Sequence, residues 1–438
     1  MGKQGAVIVP LHETVSLCPY CLRRIPARIE EINGEIYMRK KCPEHGAFQV
    51  IIWRDNKENY RQWLEYGGGD AFTRSCSGPA LDSASGCPHD CGPCAGHCRE
   101  ICSAAIMVTN RCNLDCPLCF TRPPGDPPHE PDLNSIKSMY AFYLHSCGEP
   151  YPVELCGGEP TVRDDLPEII ALGREMGFDY IQLNTNGIRI ARDFNYLRRL
   201  KECGLTTVYL GLDGVTEEPY LFSSGRYQGQ SLLNLKLQAL AHCAEAKLAV
   251  ILVPCVAPGV NDRQLGAIID LAREWMPAVK GVHFQPISYF GKYPVQPQDQ
   301  DRITIPELLR AIEEQTGGEI RRDSFLPGGC EHPLCSFHGF FMPGQNGKLQ
   351  PLTRYRKRES DVPDAAAKTR RFTKTYWRYS EVKSLTIGGM AFQDVWNIDL
   401  ERLKRCIIRI ICADQKIVPL CAKYLTGTGG VKIHPGIA

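Results

Sequence analysis

The chain has 438 residues, of which 51 are Lys or Arg and 49 Asp or Glu, for a formal charge of +2 and a hydrophobic content of 43%. That balance supplies no electrostatic footprint for nucleic acid, no apolar run reaches the roughly 18 residues that span a bilayer, and the amino terminus is too weakly apolar for a signal peptide. The expectation is a folded cytoplasmic protein without a transmembrane segment, its 22 cysteines kept reduced and gathered around metal rather than paired as disulfides.

Residues 1–70 read as a small metal-binding module. Cys18-Pro-Tyr-Cys21 and Cys42-Pro-Glu-His45 are two short ligand pairs, and Asn33-Gly34 between them favours a two-residue hairpin turn. Knuckles on facing turns make a tetrahedral site, with Cys18, Cys21, Cys42 and His45 as the simplest set and Cys76 as an alternative to His45. Zinc or a single rubredoxin-like iron suits these donors, and would fold a segment too small to hold itself together.

Residues 71–103 form a cysteine-rich bridge. Its glycines and prolines exclude a regular helix, and Cys87-x3-Cys91-x2-Cys94 has the spacing of an iron–sulfur ligand set, with Cys98 or Cys102 as fourth ligand. An auxiliary 4Fe–4S cluster is expected there, with zinc as the plainer alternative.

From 104 to 290, short apolar runs alternate with amphipathic stretches, the pattern of repeated βα units around a parallel sheet. Strands are predicted at Ala104–Val108, Pro152–Leu155, Tyr180–Leu183, Thr207–Leu210, Ala249–Val253 and Val282–Phe284. Helices are predicted at Leu133–Leu144, Leu166–Met176, Phe194–Cys203, Ser231–Ala246 and Asp262–Glu274. The expected fold is α/β, a partial (β/α)6 TIM-like barrel open on one side. Directly after the first strand stands Cys112-Asn-Leu-Asp-Cys116-Pro-Leu-Cys119-Phe120. Three thiolates at this spacing can grip one 4Fe–4S cubane and leave one iron without a protein ligand; a zinc site or packed thiols are the alternatives.

After the second strand comes Cys156-Gly157-Gly158-Glu159-Pro160, where glycines allow a ligand to approach backbone carbonyls. Cys156 reads as a packed thiol. Ligands of parallel α/β folds sit at the carboxyl ends of strands, which directs attention to Asn184, Asn186 and Asp213. Cys147, Cys203, Cys243 and Cys255 read as core. His283 and His338 are candidate acid–base groups, more simply read as core or supporting histidines.

The remainder, 291–438, opens with a Pro-rich linker and a helix at Pro306–Gln315. Cys330, Cys335, Cys406 and Cys421 are expected to hold a second auxiliary cluster closing the open barrel, and Arg354–Lys374 reads as a solvated charged loop.

The cysteine triplet followed by an aromatic resembles the radical S-adenosylmethionine (SAM) superfamily, and Gly157-Gly-Glu-Pro160 resembles its SAM-amino motif. The two ligand knuckles, Gly86-Cys-Pro-His-Asp-Cys-Gly, Gln182-Leu-Asn-Thr-Asn-Gly187 and Val282-His-Phe-Gln-Pro-Ile-Ser-Tyr-Phe-Gly291 extend the resemblance over nearly the whole chain. They are similar to TrsS-type radical SAM (seleno)proteins, archaeal tetraether lipid synthases and dihydro-hydroxymethylpterin methyltransferases. The resemblance implies that Cys112, Cys116 and Cys119 are the catalytic cluster ligands and that SAM is cleaved to a 5'-deoxyadenosyl radical. It implies a SAM site at Gly157, Gly158, Glu159 and Pro160, with Asn184, Asn186 and Asp213 on ribose or methionine and Arg226 on the methionine carboxylate.

The expected reaction is hydrogen abstraction followed by carbon–carbon bond formation on a pterin-like small molecule or a lipid, with membrane-surface contact left open. Electrons would come from a flavodoxin or ferredoxin, and the oxygen-sensitive clusters favour an anaerobic host. A maturase acting on a peptide is the alternative, and a non-catalytic electron carrier has no evident need of Gly157-Gly-Glu-Pro160.

Overall fold

The structure is a computed structural model that describes residues 8–66, 86–91, 101–121, 128–224, 227, 229, 231–293, 295–353 and 365–434. Cys76, Cys94, Cys98 and Arg226 lie outside the described residues.

An antiparallel meander opens the chain, β1 (Ile8–Leu17), β2 (Arg24–Ile32), β3 (Glu35–Cys42) and β4 (Gly46–Trp53), followed by α1 (Lys57–Tyr66). Asn33 and Gly34 take φ of 52° and 85°, the positive values that a tight hairpin turn between right-twisted strands demands. Alternation then buries Ile36, Met38, Lys40 and Cys42 on one face of β3. The buried Lys40 ammonium donates to Ser16 Oγ and to the Val395 carbonyl, both at 3.0 Å. The Val395 bond, with Thr14 Oγ1 donating to Asp399 at 2.6 Å, docks the meander on the carboxyl-terminal region.

The barrel strands are β5 (Ser103–Thr109), β6 (Val153–Gly157), β7 (Ile181–Thr185), β8 (Thr207–Gly211), β9 (Ala249–Val253), the two-residue β10 (Cys255–Val256) and β11 (Val279–Pro286). Apart from β10, which extends the pairing to β11, they lie side by side in chain order and are parallel. The crossovers are α2 (Leu133–Cys147), α3 (Leu166–Glu175), α4 (Ile188–Arg192), α5 (Phe194–Glu202), α6 (Glu218–Ser223), α7 (Leu232–Glu245) and α8 (Leu265–Glu274). Asp132, Asp193 and Ser231 cap α2, α5 and α7 by accepting from backbone N–H groups, which satisfies donors that would otherwise lack partners.

The remaining elements are α9 (Ile305–Gln315), β12 (Leu326–Pro327), β13 (Ser336–Pro343), β14 (Leu349–Pro351), α10 (Ala365–Tyr376), β15 (Leu385–Met390), α11 (Leu400–Lys404), β16 (Ile408–Ile411), β17 (Ile417–Pro419) and α12 (Leu420–Tyr424). They flank the six-stranded barrel at both edges. β15 pairs in parallel with β11, and β16 pairs in parallel with β5, so eight parallel strands stand side by side in one sheet. β13 then pairs antiparallel with β15.

The structure departs from the sequence pattern at two places. Residues 365–374 of the stretch read as a solvated loop form most of α10. Its Arg370 is buried, lies 3.6 Å over the Tyr151 ring and donates to the Ile101 carbonyl at 2.9 Å. A charge count conceals the docked face that Ala365, Ala366 and Arg370 make at helical spacing. Cys255, read as core, is exposed, because it lies beyond the carboxyl end of β9 rather than within the strand.

The two faces of the sheet follow from what touches each. Ile181 meets Gly173 of α3, and Leu210 meets Gly187 beside Ala239 of α7, so these residues point outward to the helices. Their neighbours Gln182, Asn184 and Tyr209 therefore point inward. Trp377 fills the amino-terminal end of the barrel. Its ring stands 5.8 Å from that of Tyr209, its carbonyl accepts from Thr207 Oγ1 at 2.6 Å, and its Nε1 donates to Thr386 Oγ1 at 3.2 Å.

Candidate active site and metal centres

The loop that leaves β5 carries Cys112, Cys116 and Cys119, all half-buried. Burial pushes the Cys116 thiol up to about 12, and the neighbouring Cys119, Cys112 and Asp213 add to the effect. Thiols crowded in this way are costly to ionise until a cation joins them. Thr121 Oγ1 lies 3.4 Å from Cys119 Sγ, and the Leu114 N–H points to Cys112 Sγ at 3.4 Å. Cys119 also exchanges backbone bonds with Lys292, at 3.1 and 2.9 Å, which ties this loop to the chain beyond β11.

Gly157 and Gly158 press against that loop. Gly157 has φ of +144°, and a Cβ there would collide with the Thr109 carbonyl; a Cβ on Gly158 would collide with the Arg111 carbonyl. The approach lets Gly158 N–H donate to Thr109 O and Glu159 N–H to Arg111 O, each at 2.8 Å. Two loops far apart in sequence are thereby fixed side by side, and only glycine fits at the seam.

Glu159 is buried and accepts from Thr161 N–H at 3.0 Å, Thr161 Oγ1 at 2.6 Å, Thr185 Oγ1 at 2.7 Å and Asn186 N–H at 2.6 Å. Its carboxylate is thus engaged inside the protein. Pro160 opens the short turn Pro160–Val162 that supplies the Thr161 donors. Asn186 Nδ2 donates to Asn113 Oδ1 at 2.7 Å, beside Cys112. Asp213 accepts the Cys255 N–H at 3.0 Å, and its own carbonyl accepts from Asn261 Nδ2 at 2.7 Å.

Lys236 of α7 was not singled out by sequence. It is buried, donates to the Asn186 carbonyl, and its ammonium is held below the usual lysine range by burial, against the opposing pull of Asp213, Glu159, Cys116 and Cys112. A lysine on the buried face of an amphipathic helix is the signal that was present in the sequence.

Asn184 Nδ2 donates to Glu154 Oε1, and Gln182 Nε2 donates to Glu154 Oε2 at 2.7 Å. Glu154 thus lies in the lumen, where burial raises its carboxyl to about 7 although both amide bonds favour ionisation. Burial also raises the Cys156 thiol well above its usual range; Glu154 adds to this, and a bond with Tyr424 opposes it. Tyr424 of α12 packs edge-on against Phe120, ring centres 4.9 Å apart. His283 is held neutral, its imidazole lowered by burial to about 4.

At the amino terminus Cys18, Cys21, Cys42 and His45 bring one ligand atom each within 4.8 Å of all the others. Cys21 and Cys42 Sγ are 3.9 Å apart, and His45 Nδ1 lies 3.6 Å from Cys18 and 3.5 Å from Cys42. A tetrahedron with metal–sulfur bonds of about 2.3 Å and a metal–nitrogen bond of about 2.0 Å has edges of roughly 3.5 to 3.8 Å. The set has the size of a single-ion site, and a hydrogen bond from His45 holds the Cys42 thiol down at about 6.

The other cysteines fall into smaller groups. Cys87 and Cys91 Sγ are 3.8 Å apart. Cys102 lies 3.5 Å from Cys330, linking the bridge to the carboxyl-terminal region. Cys335 and Cys406 each act on Cys421 electrostatically, while Arg402 Nε donates to Cys335 Sγ at 3.0 Å.

Comparison with known proteins follows this division. Residues 10–54 match the family described as the HMPTM N-terminal zinc ribbon domain, and 106–272 match the radical SAM superfamily. The 7,8-dihydro-6-hydroxymethylpterin dimethyltransferase of Methanocaldococcus jannaschii is 35% identical over 93% of this chain and 92% of its own length. The chain belongs to the radical SAM superfamily. This radical SAM protein is also 29% identical to a probable GTP 3',8-cyclase of Archaeoglobus fulgidus, over 40% of the chain and 56% of that protein. SuiB of Streptococcus suis, bound to S-adenosylmethionine, aligns with a TM-score of 0.37 and 14% identity over 50% of this chain and 47% of its own. Membership makes the protein an enzyme that works with a 4Fe–4S cluster and SAM. The convergent thiols around Cys116 are donors of the right chemistry. Among the described residues no helix is long and apolar enough to cross a membrane.

Proposed function

We propose that the protein is a radical SAM methyltransferase that forms a carbon–carbon bond on a pterin-like small molecule. The observation that carries this reading is the end-to-end similarity to a pterin dimethyltransferase. The lumen supports it against a lipid substrate: Glu154, Gln182 and Asn184 present polar groups where an alkyl chain would need apolar walls.

In this reading Cys112, Cys116 and Cys119 hold the cluster, which with SAM supplies a 5'-deoxyadenosyl radical for hydrogen abstraction, electrons arriving from a flavodoxin or ferredoxin. Gly157, Gly158 and Pro160 shape the backbone that meets the SAM amino group. Glu159 acts through the backbone, holding that loop against Asn186. Asn186 and Asp213 line the nucleoside side, together with Lys236, whose ammonium lies in the field of Cys112 and Cys116. Cys87, Cys91, Cys94 and Cys102, and Cys330, Cys335, Cys406 and Cys421, hold one or two auxiliary clusters, the two sets meeting where Cys102 lies 3.5 Å from Cys330; zinc occupies the amino-terminal site.

The test is anaerobic incubation of the reconstituted protein with SAM, a low-potential reductant, a methyl donor and reduced 6-hydroxymethylpterin. The expected outcome is 5'-deoxyadenosine together with a pterin heavier by one or two methyl groups. Formation of 5'-deoxyadenosine with an unchanged pterin under every donor tried would count against the pterin and leave the radical step in place.

A further inference from the structure

The lumen holds a carboxylate that the radical step does not use. Glu154 lies on the inner face of β6 and is half-buried. Gln182 donates to one of its oxygens and Asn184 to the other. Each oxygen therefore gives one acceptor site to one amide, and the two bonds together fix the carboxylate plane. An ionised carboxylate accepts about four hydrogen bonds, so each oxygen retains capacity for a further donor.

The titratable groups that face it are Tyr180 and the adjacent Tyr209, Cys156 on its own strand, and Tyr424 of α12. All are neutral acids, and the groups that favour the ionised form of Glu154 are the two amides. A carboxylate removed from water without a cation beside it is unfavourable. A protein tolerates that cost where a ligand brings the missing donors, and two oxygens in a fixed plane suit a pair of adjacent N–H groups.

We propose that Glu154, oriented by Gln182 and Asn184, determines substrate specificity by accepting two parallel hydrogen bonds from the ring N–H and exocyclic amino group of a 2-aminopyrimidin-4-one ring. The inference rests on the pterin-like substrate reading and adds the residue that recognises it. The tyrosines around the carboxylate supply the aromatic wall of the same site, Tyr209 held by the Trp377 ring at 5.8 Å and Tyr424 by Phe120 at 4.9 Å.

Equilibrium fluorescence titration of the metal-replete protein tests it, with two probes that differ at one group: 6-hydroxymethylpterin, which carries the 2-amino group, and 6-hydroxymethyllumazine, which carries a 2-oxo group. The wild type is expected to prefer the pterin by about tenfold or more, the worth of one hydrogen bond to a charged group. Glu154→Gln is expected to weaken pterin binding by roughly 10- to 100-fold and to erase or reverse the preference, because its amide N–H faces the 2-oxo group favourably. Gln182→Leu, which removes one orienting bond, is expected to give a smaller loss.

A wild type that binds both rings equally overturns the inference and leaves the pterin reading standing. A wild type that binds neither ring overturns the pterin reading itself, and this inference with it. Glu154→Gln retaining the full preference at unchanged iron content also overturns the inference. Should that variant fail to take up metal, the two-probe comparison on the wild type decides.

Discussion

Glu159, in the loop after β6, accepts the backbone N–H of Asn186, in the loop after β7, at 2.6 Å. The same carboxylate takes both donors of Thr161 and the hydroxyl of Thr185. One buried side chain thus fixes the Gly-Gly-Glu-Pro and Asn-Thr-Asn-Gly turns side by side.

Replacing Glu159 by Gln puts an amide NH2 where an oxygen received donors, leaving at least one buried N–H unsatisfied. The expected cost is about 1 to 3 kcal/mol, seen as a lower melting temperature, with SAM affinity reduced about tenfold at retained iron content. Calorimetric titration with SAM checks this, and an unchanged affinity would remove the positioning role assigned to Glu159.

Gly158→Ala places a methyl group against the Arg111 carbonyl, and the backbone of Asn110 stands within 2.7 Å. Neither backbone can yield without separating the two loops, so a loss of several kcal/mol is expected. Iron and sulfide uptake by the Cys112–Cys119 loop should fall with it. Gly148→Ala, at φ of 76° with open space around it, is the comparison: it should cost only about 1 kcal/mol of backbone strain and leave metal uptake unchanged.

The amino-terminal site should be separable from the catalytic loop. Cys42→Ser together with His45→Ala is expected to remove one metal ion per chain by elemental analysis and to leave the iron bound near Cys116 in place. A metal held by so small a module contributes to its folding, so the double variant is expected to expose the docked face of β3 around Lys40, and limited proteolysis is expected to cut within residues 8–53. Loss of iron in parallel with the ion would show that the two centres are not independent.

The pH dependence of the lumen follows from the raised Glu154 carboxyl, moved from the usual 4.5 to about 7 by burial. Between these values the folded chain holds a proton that the unfolded chain has released, so stability falls as pH rises, by about 3 kcal/mol in all. Glu154→Gln lacks this slope, and its melting temperature relative to wild type should be higher at pH 8 than at pH 5. Pterin binding should run the opposite way in the wild type, strengthening up to tenfold per unit as pH rises toward 7 and levelling above it, and should be flat in the variant.

Much of the fold was legible in the sequence because it is written in local periodicity. The strand at Ala249–Val253 was read to the residue, and helices such as Leu166–Met176 and Phe194–Cys203 end within one residue of their structural limits, since alternation, amphipathic spacing and caps are short-range signals. The Cys18–His45 ligand set was legible for the same reason: each pair lies on one turn, and the Asn33-Gly34 hairpin brings the pairs together. β15 and β16 carry no such local signal. They are only six and four residues long, and what makes them strands is the open edges of β11 and β5 far away in sequence.

The residue types and spacing of Cys112, Cys116 and Cys119, and of Gly157-Gly-Glu-Pro160, were sufficient by themselves to point to the family, because each motif lies within one short stretch of chain. Tertiary structure alone decided what surrounds them. Glu154, an unremarked acid in a short apolar strand, is turned inward by the register of the sheet and joined to Gln182 and Asn184. Lys236 is carried by a helix into the field of two thiols, and Cys330 is set 3.5 Å from Cys102 across 228 residues of chain. Burial of charge and contact between distant segments depend on the packed barrel as a whole, and no window of sequence contains them.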